Sequence, residues 1–238
     1  MMEFGTLPFM PREHRFSQSA TAAYVAPFAV FVALLMAERA VALPTEWLYL
    51  FRITAVLAVL AWVSRRVVAS LRFSAPLASA AMGIAVFLIW IGPDVLFGPG
   101  YRHYWLFDNA AMGTAASSAP AALKHNWWFI LIRTAGCTAL VPVLEELFWR
   151  GWLMRWLAHR DFETVPLGAY VPQAFWTVAV LFASEHGPYW EVGLAAGILY
   201  NWWMVRTKSL ADCMLAHAVT NGLLSAYVLA TGQWQYWL

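Results

Sequence analysis

Charged residues are scarce in this chain of 238 residues. Asp, Glu, Lys and Arg make up only 12% of it, hydrophobic residues make up 62%, and the mean hydropathy is +0.60. Soluble globular domains carry about 25% charged and about 45–50% apolar residues. The composition therefore excludes an ordinary soluble domain and predicts an integral membrane protein.

Cysteine, clustered basic charge and common hydrolase signatures are also scarce or missing. The formal net charge is only +2 and the basic residues are scattered, so nucleic acid is not an expected partner. Cys137 and Cys213 lie in apolar stretches without CxxC or Cys/His spacing, and we interpret them as core residues. Ser184 has no GxSxG elbow around it, which argues against a serine hydrolase.

The apolar residues fall into seven long stretches. A bilayer core about 30 Å thick requires about 20 apolar residues per helix, and each stretch approaches that length. No internal repeat or soluble segment separates them. We therefore expect an all-α polytopic membrane bundle of about seven transmembrane helices, forming a single membrane domain over 1–238. The predicted helices are Ala22–Ala42, Trp47–Val63, Pro76–Phe97, Asn126–Trp149, Pro172–His186, Trp190–Val205 and Leu210–Leu229.

Two segments between these helices have a distinct character. Gly98 to Lys124 is a long connection rich in Gly, Ala and Ser. Gly151 to Arg160 carries Trp and Leu at helical spacing with Arg155 and His159 beside them. We interpret this second segment as a continuation of the fourth helix in the membrane interface.

The distribution of Lys and Arg predicts the orientation, because cytoplasmic loops are enriched in them. A cytoplasmic N-terminus and an outer C-terminus place most basic residues inside. The inner set is Arg12, Arg15, Arg65, Arg66, Arg72, Arg150, Arg155, Arg160, Arg206 and Lys208. The outer set is Arg39, Arg102 and Lys124.

Three polar clusters interrupt the apolar stretches. An ionisable group in hydrocarbon costs roughly 2.5–3.5 kcal/mol on insertion scales, so several in one chain indicate a function. The clusters are Glu145-Glu146-x-x-x-Arg150, Phe182-x-x-x-His186 and His217-x-x-x-Asn221.

The first cluster suits acid–base chemistry. Glu146 and Arg150 lie four residues apart and can pair on one helix face, which stabilises the ionised form of Glu146. Glu145 points about 100° away without a dedicated cation, so it is suited to taking a proton from water and returning it. The alternative interpretation is an ion pair that only ties two helices together.

The other two clusters supply imidazole and amide groups. His217 and Asn221 share a helix face, and two N–H donors there would stabilise an oxyanion. Taken alone, His186 is more typical of a hydrogen-bonded structural histidine than of a catalyst, and His217 with Asn221 are more typical of interhelical hydrogen-bond partners. His186 ends its helix near the outer side and His217 lies near the inner side, so a shared site requires the short fifth helix to stop within the membrane.

Taken together, the three motifs resemble the CAAX protease and bacteriocin-processing family, which includes the type II CAAX prenyl endopeptidases. The resemblance covers about 126–229, the expected catalytic core. It implies a glutamate protease or metalloprotease that cleaves a membrane-anchored protein substrate in the lipid bilayer. It implies Glu145 as the base that activates water, His186 as its assistant, Glu146 and Arg150 as support, and His217 with Asn221 as the oxyanion hole.

The length and the fifteen Trp residues also resemble a subgroup associated with exosortase and PEP-CTERM sorting systems. This resemblance implies a bacterial inner membrane as the location.

The sequence leaves metal dependence open. Glu145, His186 and His217 offer the donor types of a zinc site with an open water position. HExxH is absent, and His217 with Asn221 fits a donor pair better than a ligand pair. We therefore favour a mechanism without a cofactor, with zinc or another divalent ion as the alternative.

Two other functions stay open at this level. The chain is alternatively a non-catalytic membrane immunity or scaffold protein of the same fold. A transporter with a proton relay is the third candidate, although inverted repeats and paired broken helices are not visible. Replacement of Glu145 by Gln separates hydrolysis from both alternatives.

Overall fold

The computed structural model describes residues 20–38, 40–98 and 100–237. Within these ranges the chain forms seven long helices and no strand, as the apolar pattern predicts. The helices are α1 (Ala20–Glu38), α2 (Thr45–Ser70), α3 (Pro76–Phe97), α4 (Trp127–Ala158), α5 (Pro172–Ser184), α6 (Trp190–Thr207) and α7 (Leu210–Thr231).

The helices form a polytopic membrane bundle. Among the described residues, five helices are long and apolar enough to span a bilayer, namely α1, α2, α3, α4 and α7. The other two differ for separate reasons. α5 is apolar but has only 13 residues, and α6 carries Glu191, Asn201 and Arg206. Both pack within the bundle beside the spanning helices.

Helix α4 is a single element of 32 residues, about 48 Å long. It continues past the predicted end at Trp149 to Ala158, which confirms the expected continuation. Arg155 in this part is buried and donates hydrogen bonds to the carbonyls of Gly151 and Val165. Two wide π-helical turns, Gly136–Leu140 and Leu147–Leu153, interrupt its regular winding.

Two glycines on α6 allow close packing against α5. A Cβ atom at Gly193 would lie 3.1 Å from the His186 ring, and one at Gly197 would lie 3.1 Å from the Ala179 carbonyl oxygen. The two glycines form a GxxxG pattern, in which small residues let two helix backbones approach closely. Its role is to bring the end of α5 against α6.

A buried carboxylate joins the start of α3 to the start of α7. Asp212 accepts hydrogen bonds from the backbone N–H groups of Ser74 (2.8 Å) and Ala75 (3.1 Å), and from Ser79 Oγ (3.0 Å). The first N–H groups of a helix lack intrahelical partners and favour a negative charge. Asp212 therefore fixes the depth of α7 relative to α3.

The opposite end of the bundle is held by Arg102 in the long connection. Its guanidinium pairs with Asp94 at 2.7 Å and with Glu191 at 2.6 Å, and it donates to the Pro188 carbonyl at 2.9 Å. Tyr236, after α7, donates to Asp94 at 2.6 Å. The long connection is therefore bound to the end of α3 and to the start of α6, and the segment after α7 reaches the same carboxylate of α3.

These contacts fit helices that alternate in direction. The orientation relative to the cytoplasm stays a prediction, and three of its residues, Arg12, Arg15 and Arg39, lie outside the described ranges.

Replacing Asp212 by Ala should lower the free energy of unfolding by about 2–4 kcal/mol, because buried donors lose a charged acceptor. The measurement is chemical denaturation in detergent micelles. Asp161→Ala, at an exposed loop position, is the control and should change stability by less than about 0.5 kcal/mol. Equal stability of both variants would contradict this account of Asp212.

Candidate active site

The three polar clusters meet at one cavity of about 650 Å³. Glu145, His186, His217 and Asn221 all line it. The short α5 resolves the expected mismatch in depth, because the Phe182 ring contacts both imidazoles, at centroid distances of 4.8 Å to His186 and 6.1 Å to His217. The sequence-predicted residues are therefore brought together.

Glu146 and Arg150 lie behind the cavity wall and are fully buried. Arg150 Nη1 lies 3.0 Å from Glu146 Oε1, so the predicted pair across one helical turn is present. The guanidinium stacks over the rings of Phe182 (4.5 Å) and Tyr200 (5.4 Å). A buried ion pair is tolerated only when its remaining donors are also satisfied.

Asn201 supplies one of those partners and was not singled out from the sequence. Its Oδ1 accepts a hydrogen bond from Arg150 Nε at 2.9 Å, and its Nδ2 donates to the Phe175 carbonyl at 2.8 Å. Arg150 Nη2 also donates to the Gly197 carbonyl at 3.4 Å. Asn201 thus connects the ion pair to both α5 and α6. The sequence signal that could have indicated Asn201 is an amide side chain within a predicted transmembrane helix.

His217 lies between the two glutamates. Its Nδ1 is 3.0 Å from Glu146 Oε1, and its Nε2 is 4.0 Å from Glu145 Oε2. Tyr200 stacks on the imidazole with a centroid distance of 5.1 Å and an interplanar angle of 24°. Because Glu146 accepts at Nδ1, Nε2 is the nitrogen directed toward Glu145.

Two placements of one proton give a set of four groups that is electrically neutral. The four groups are Glu145, Glu146, Arg150 and His217. In one, Glu145 is protonated, His217 is neutral, and Glu146 is balanced by Arg150. In the other, Glu145 is ionised and His217 is an imidazolium. Neutrality matters because uncompensated charge is costly in a low-dielectric interior. The two arrangements differ only by a proton moved between Glu145 and His217.

The end of α5 sets the orientation of His186. Its Nδ1 lies 2.8 Å from the Phe182 carbonyl oxygen, and a carbonyl only accepts, so Nδ1 carries the hydrogen. Trp90 makes an edge-to-face contact with the ring at 5.1 Å. In the neutral ring Nε2 is consequently an acceptor. The four-residue spacing from Phe182 to His186 thus lets the imidazole bind a carbonyl in the last turn of α5.

Asn221 is held by a backbone carbonyl of α4. Its Nδ2 donates to the Cys137 carbonyl at 2.9 Å. This carbonyl lies in a π-helical turn, in which Val141 N–H bonds to Gly136 five residues earlier. The same register would pair residue 142 with Cys137, but Pro142 has no N–H. Pro142 therefore leaves the Cys137 carbonyl available for Asn221, which keeps one amide hydrogen for another acceptor.

Glu145, His186 and His217 are the expected ligands of a metal ion, which is the alternative to a cofactor-free mechanism. The described residues contain no group of three His, Cys, Asp or Glu side chains arranged to hold one. The Nδ1 atoms of both histidines are bound, His217 Nδ1 to Glu146 and His186 Nδ1 to the Phe182 carbonyl, and this leaves each Nε2 available at the cavity. We derive no step through a metal, and the preference for a cofactor-free mechanism stays a prediction.

Comparison with known families identifies the part of the chain that contains this site. Residues 125–223, somewhat less than half of the chain, match the family model described as type II CAAX prenyl endopeptidase Rce1-like. This segment is similar to the Rce1-like family. It spans α4 to most of α7 and contains all three motifs of the cavity. No curated protein and no solved structure matches the chain.

The Rce1-like match supports an intramembrane endopeptidase of the CAAX type at the level of the family. Such a protease implies a membrane-associated protein substrate in the bilayer. Helices α1 to α3 lie outside the matched residues, yet Trp90 of α3 reaches His186. The Rce1-like core is therefore completed by helices that the family match does not cover.

Replacing Arg150 by Met should lower the free energy of unfolding by about 3–5 kcal/mol, because Glu146 would be left as a buried charge. Denaturation in detergent micelles measures the change. The double variant Arg150→Met/Glu146→Gln removes both charges and should recover much of the loss. A double variant as unstable as the single one would contradict the charge argument.

Proposed function

We propose that the protein is an intramembrane endopeptidase that hydrolyses a peptide bond of a membrane-associated protein. The observation that supports this most is the position of Glu145 beside His217 Nε2, 4.0 Å away, at a cavity that also includes His186 and Asn221. A carboxylate next to imidazole and amide donors is an arrangement that serves acid–base hydrolysis. The Rce1-like match supports the same class of reaction.

The first step is attack of water on the peptide carbonyl. Glu145 takes one proton as the water oxygen bonds to the carbonyl carbon. The electron pair of the C=O double bond moves to the oxygen, where His217 Nε2–H, in the imidazolium form, donates a hydrogen bond. Donors placed where negative charge develops contribute strongly to rate in a water-poor cavity.

The second step breaks the C–N bond. The electron pair of that bond goes to the leaving nitrogen, and Glu145 returns the proton to it. The products are an amine and a carboxyl group, and Glu145 is again ionised. One carboxyl group therefore acts first as base and then as acid.

His186 and Asn221 have supporting roles in this proposal. The Nε2 of His186 accepts a hydrogen bond from the attacking water, since Nδ1 is used by the Phe182 carbonyl. The remaining amide hydrogen of Asn221 adds a second donor to the oxyanion. Glu146 and Arg150 act through His217, whose ring they orient.

The setting of the reaction is also part of the proposal. The protein is an integral membrane protein, and we place it in a bacterial inner membrane with a cytoplasmic N-terminus. We propose one membrane domain over 1–238, in which 126–229 carry the catalysis. The association with exosortase and PEP-CTERM systems stays a prediction.

Glu145→Gln should reduce hydrolysis by at least about 100-fold, the usual contribution of a general base. Membrane proteomics of cells that carry the wild type or the variant measures this as a precursor that accumulates uncut. Glu163→Gln, at an exposed position outside the cavity, is the matched control and should process the precursor normally.

A membrane proteome that is the same with the wild type and with Glu145→Gln, in cells that the variant complements fully, would contradict the protease assignment. It would favour the immunity or scaffold alternative, because a binding role survives the loss of a base.

Chelators should leave activity unchanged, because the proposed steps use only Glu145, His217, His186 and Asn221. Purified protein is treated with EDTA or 1,10-phenanthroline and assayed, and its metal content is measured by mass spectrometry. One zinc per chain, lost together with activity and restored on addition of zinc, would overturn the metal-free mechanism.

A further inference from the structure

The cavity extends well beyond the proposed catalytic groups. One stripe of α4 lines it, consisting of Arg133, Cys137, Val141 and Glu145 at four-residue intervals. The two ends of this stripe are about 18 Å apart at about 1.5 Å per residue. An extended peptide rises about 3.3 Å per residue, so this length accommodates about five residues.

The end of the cavity far from Glu145 is built around a buried arginine of α2. Arg52 is only 5% exposed and lines the cavity. Its guanidinium lies over the rings of Phe31 and Tyr49, at 5.2 Å from each centroid. Tyr49 also donates to the Arg133 carbonyl at 3.3 Å, which places Arg52 at the level of Arg133 along α4.

Arg52 has donor capacity that its own ion pair does not use. Its Nη1 binds Glu38 Oε2 at 2.6 Å, whereas its Nε is buried without a hydrogen-bond partner among the described residues. A buried guanidinium N–H without an acceptor is costly, and a carboxylate is its best acceptor. If Arg52 only joined α2 to α1 through Glu38, the buried Nε without an acceptor would have no explanation.

We propose that Arg52 is the centre of a subsite for a carboxylate of the peptide substrate, about five extended residues from the bond that is cut. This inference rests on the proposed protease function and adds a length preference to it. The carboxylate comes either from the end of the substrate chain or from an acidic side chain. The walls between the two ends are largely apolar, with Phe28 and Val32 among them, which fits an apolar peptide segment.

The test uses pools of N-terminally lipidated peptides with randomised residues, prepared as free C-terminal acids and as C-terminal amides. Wild-type protein in detergent is given each pool, and mass spectrometry measures the length and yield of the released fragments. We expect fragments from the acid pool to peak near five residues, and the amide pool to be cleaved about 10- to 100-fold less efficiently. Amide peptides with Glu at the fifth position identify the side-chain source if they restore cleavage.

Variants assign the effect to Arg52. Arg52→Gln/Glu38→Gln removes both charges of the pair and should abolish the preference for acids and broaden the length distribution. Glu38→Gln keeps Arg52 and should keep the preference. Arg66→Gln, on an exposed position of the same helix outside the cavity, should also keep it. Thermal unfolding confirms that the double variant is folded.

The outcomes separate this inference from the proposed function. Equal cleavage of acids and amides by the wild type, abolished by Glu145→Gln, would overturn the subsite and leave the protease assignment standing. Loss of the acid preference in Glu38→Gln would assign the effect to the ion pair as a structural element and also overturn the subsite. Absence of any Glu145-dependent cleavage would remove both proposals together.

Discussion

The contact between Arg150, Glu146 and His217 is the constraint on which the rest of the site depends. Arg150 neutralises Glu146, and Glu146 in turn holds the imidazole nitrogen that faces away from Glu145. Since both charged groups are fully buried, their partners on α5 and α6 must be in place before the charges are tolerated. The same contact therefore stabilises the packing of four helices, α4 to α7, and orients a ring at the cavity.

Irregular winding of α4 is the second organising feature. The turns Gly136–Leu140 and Leu147–Leu153 are π-helical, and insertions of this kind often accompany functional sites. One contains Arg150, and the other presents the Cys137 carbonyl to Asn221. Pro142 stabilises this second arrangement because it cannot offer the competing N–H. The irregular backbone of α4 thus fixes the position of the Asn221 amide on α7.

Much of the fold could be predicted from the distribution of apolar residues. The bounds of Pro76–Phe97 were predicted as observed, because Pro76 begins the helix and Gly98 ends it. The three motifs also identified the cavity residues, since isolated polar groups stand out in apolar stretches.

Side-chain contacts between different helices could not be predicted from the pattern of apolar residues. Asn201, the carbonyl of Cys137, and Arg52 with Glu38 acquire their significance only from partners distant in sequence. Helical periodicity describes one helix at a time. It predicted which residues share a helix face, but not which groups on two helices would meet.

The shortness of α5 has a consequence for the surrounding lipid. Thirteen residues rise about 20 Å, against a hydrocarbon core of about 30 Å. Such a hydrophobic mismatch is accommodated by local thinning of the bilayer or by flanking polar side chains that extend to the interface. Each hydrolysed bond consumes one water molecule, which lipid does not supply. Because α5 stops beside His186, its length governs how deep this end of the cavity lies in the bilayer, and the proposed hydrolysis requires water at that depth.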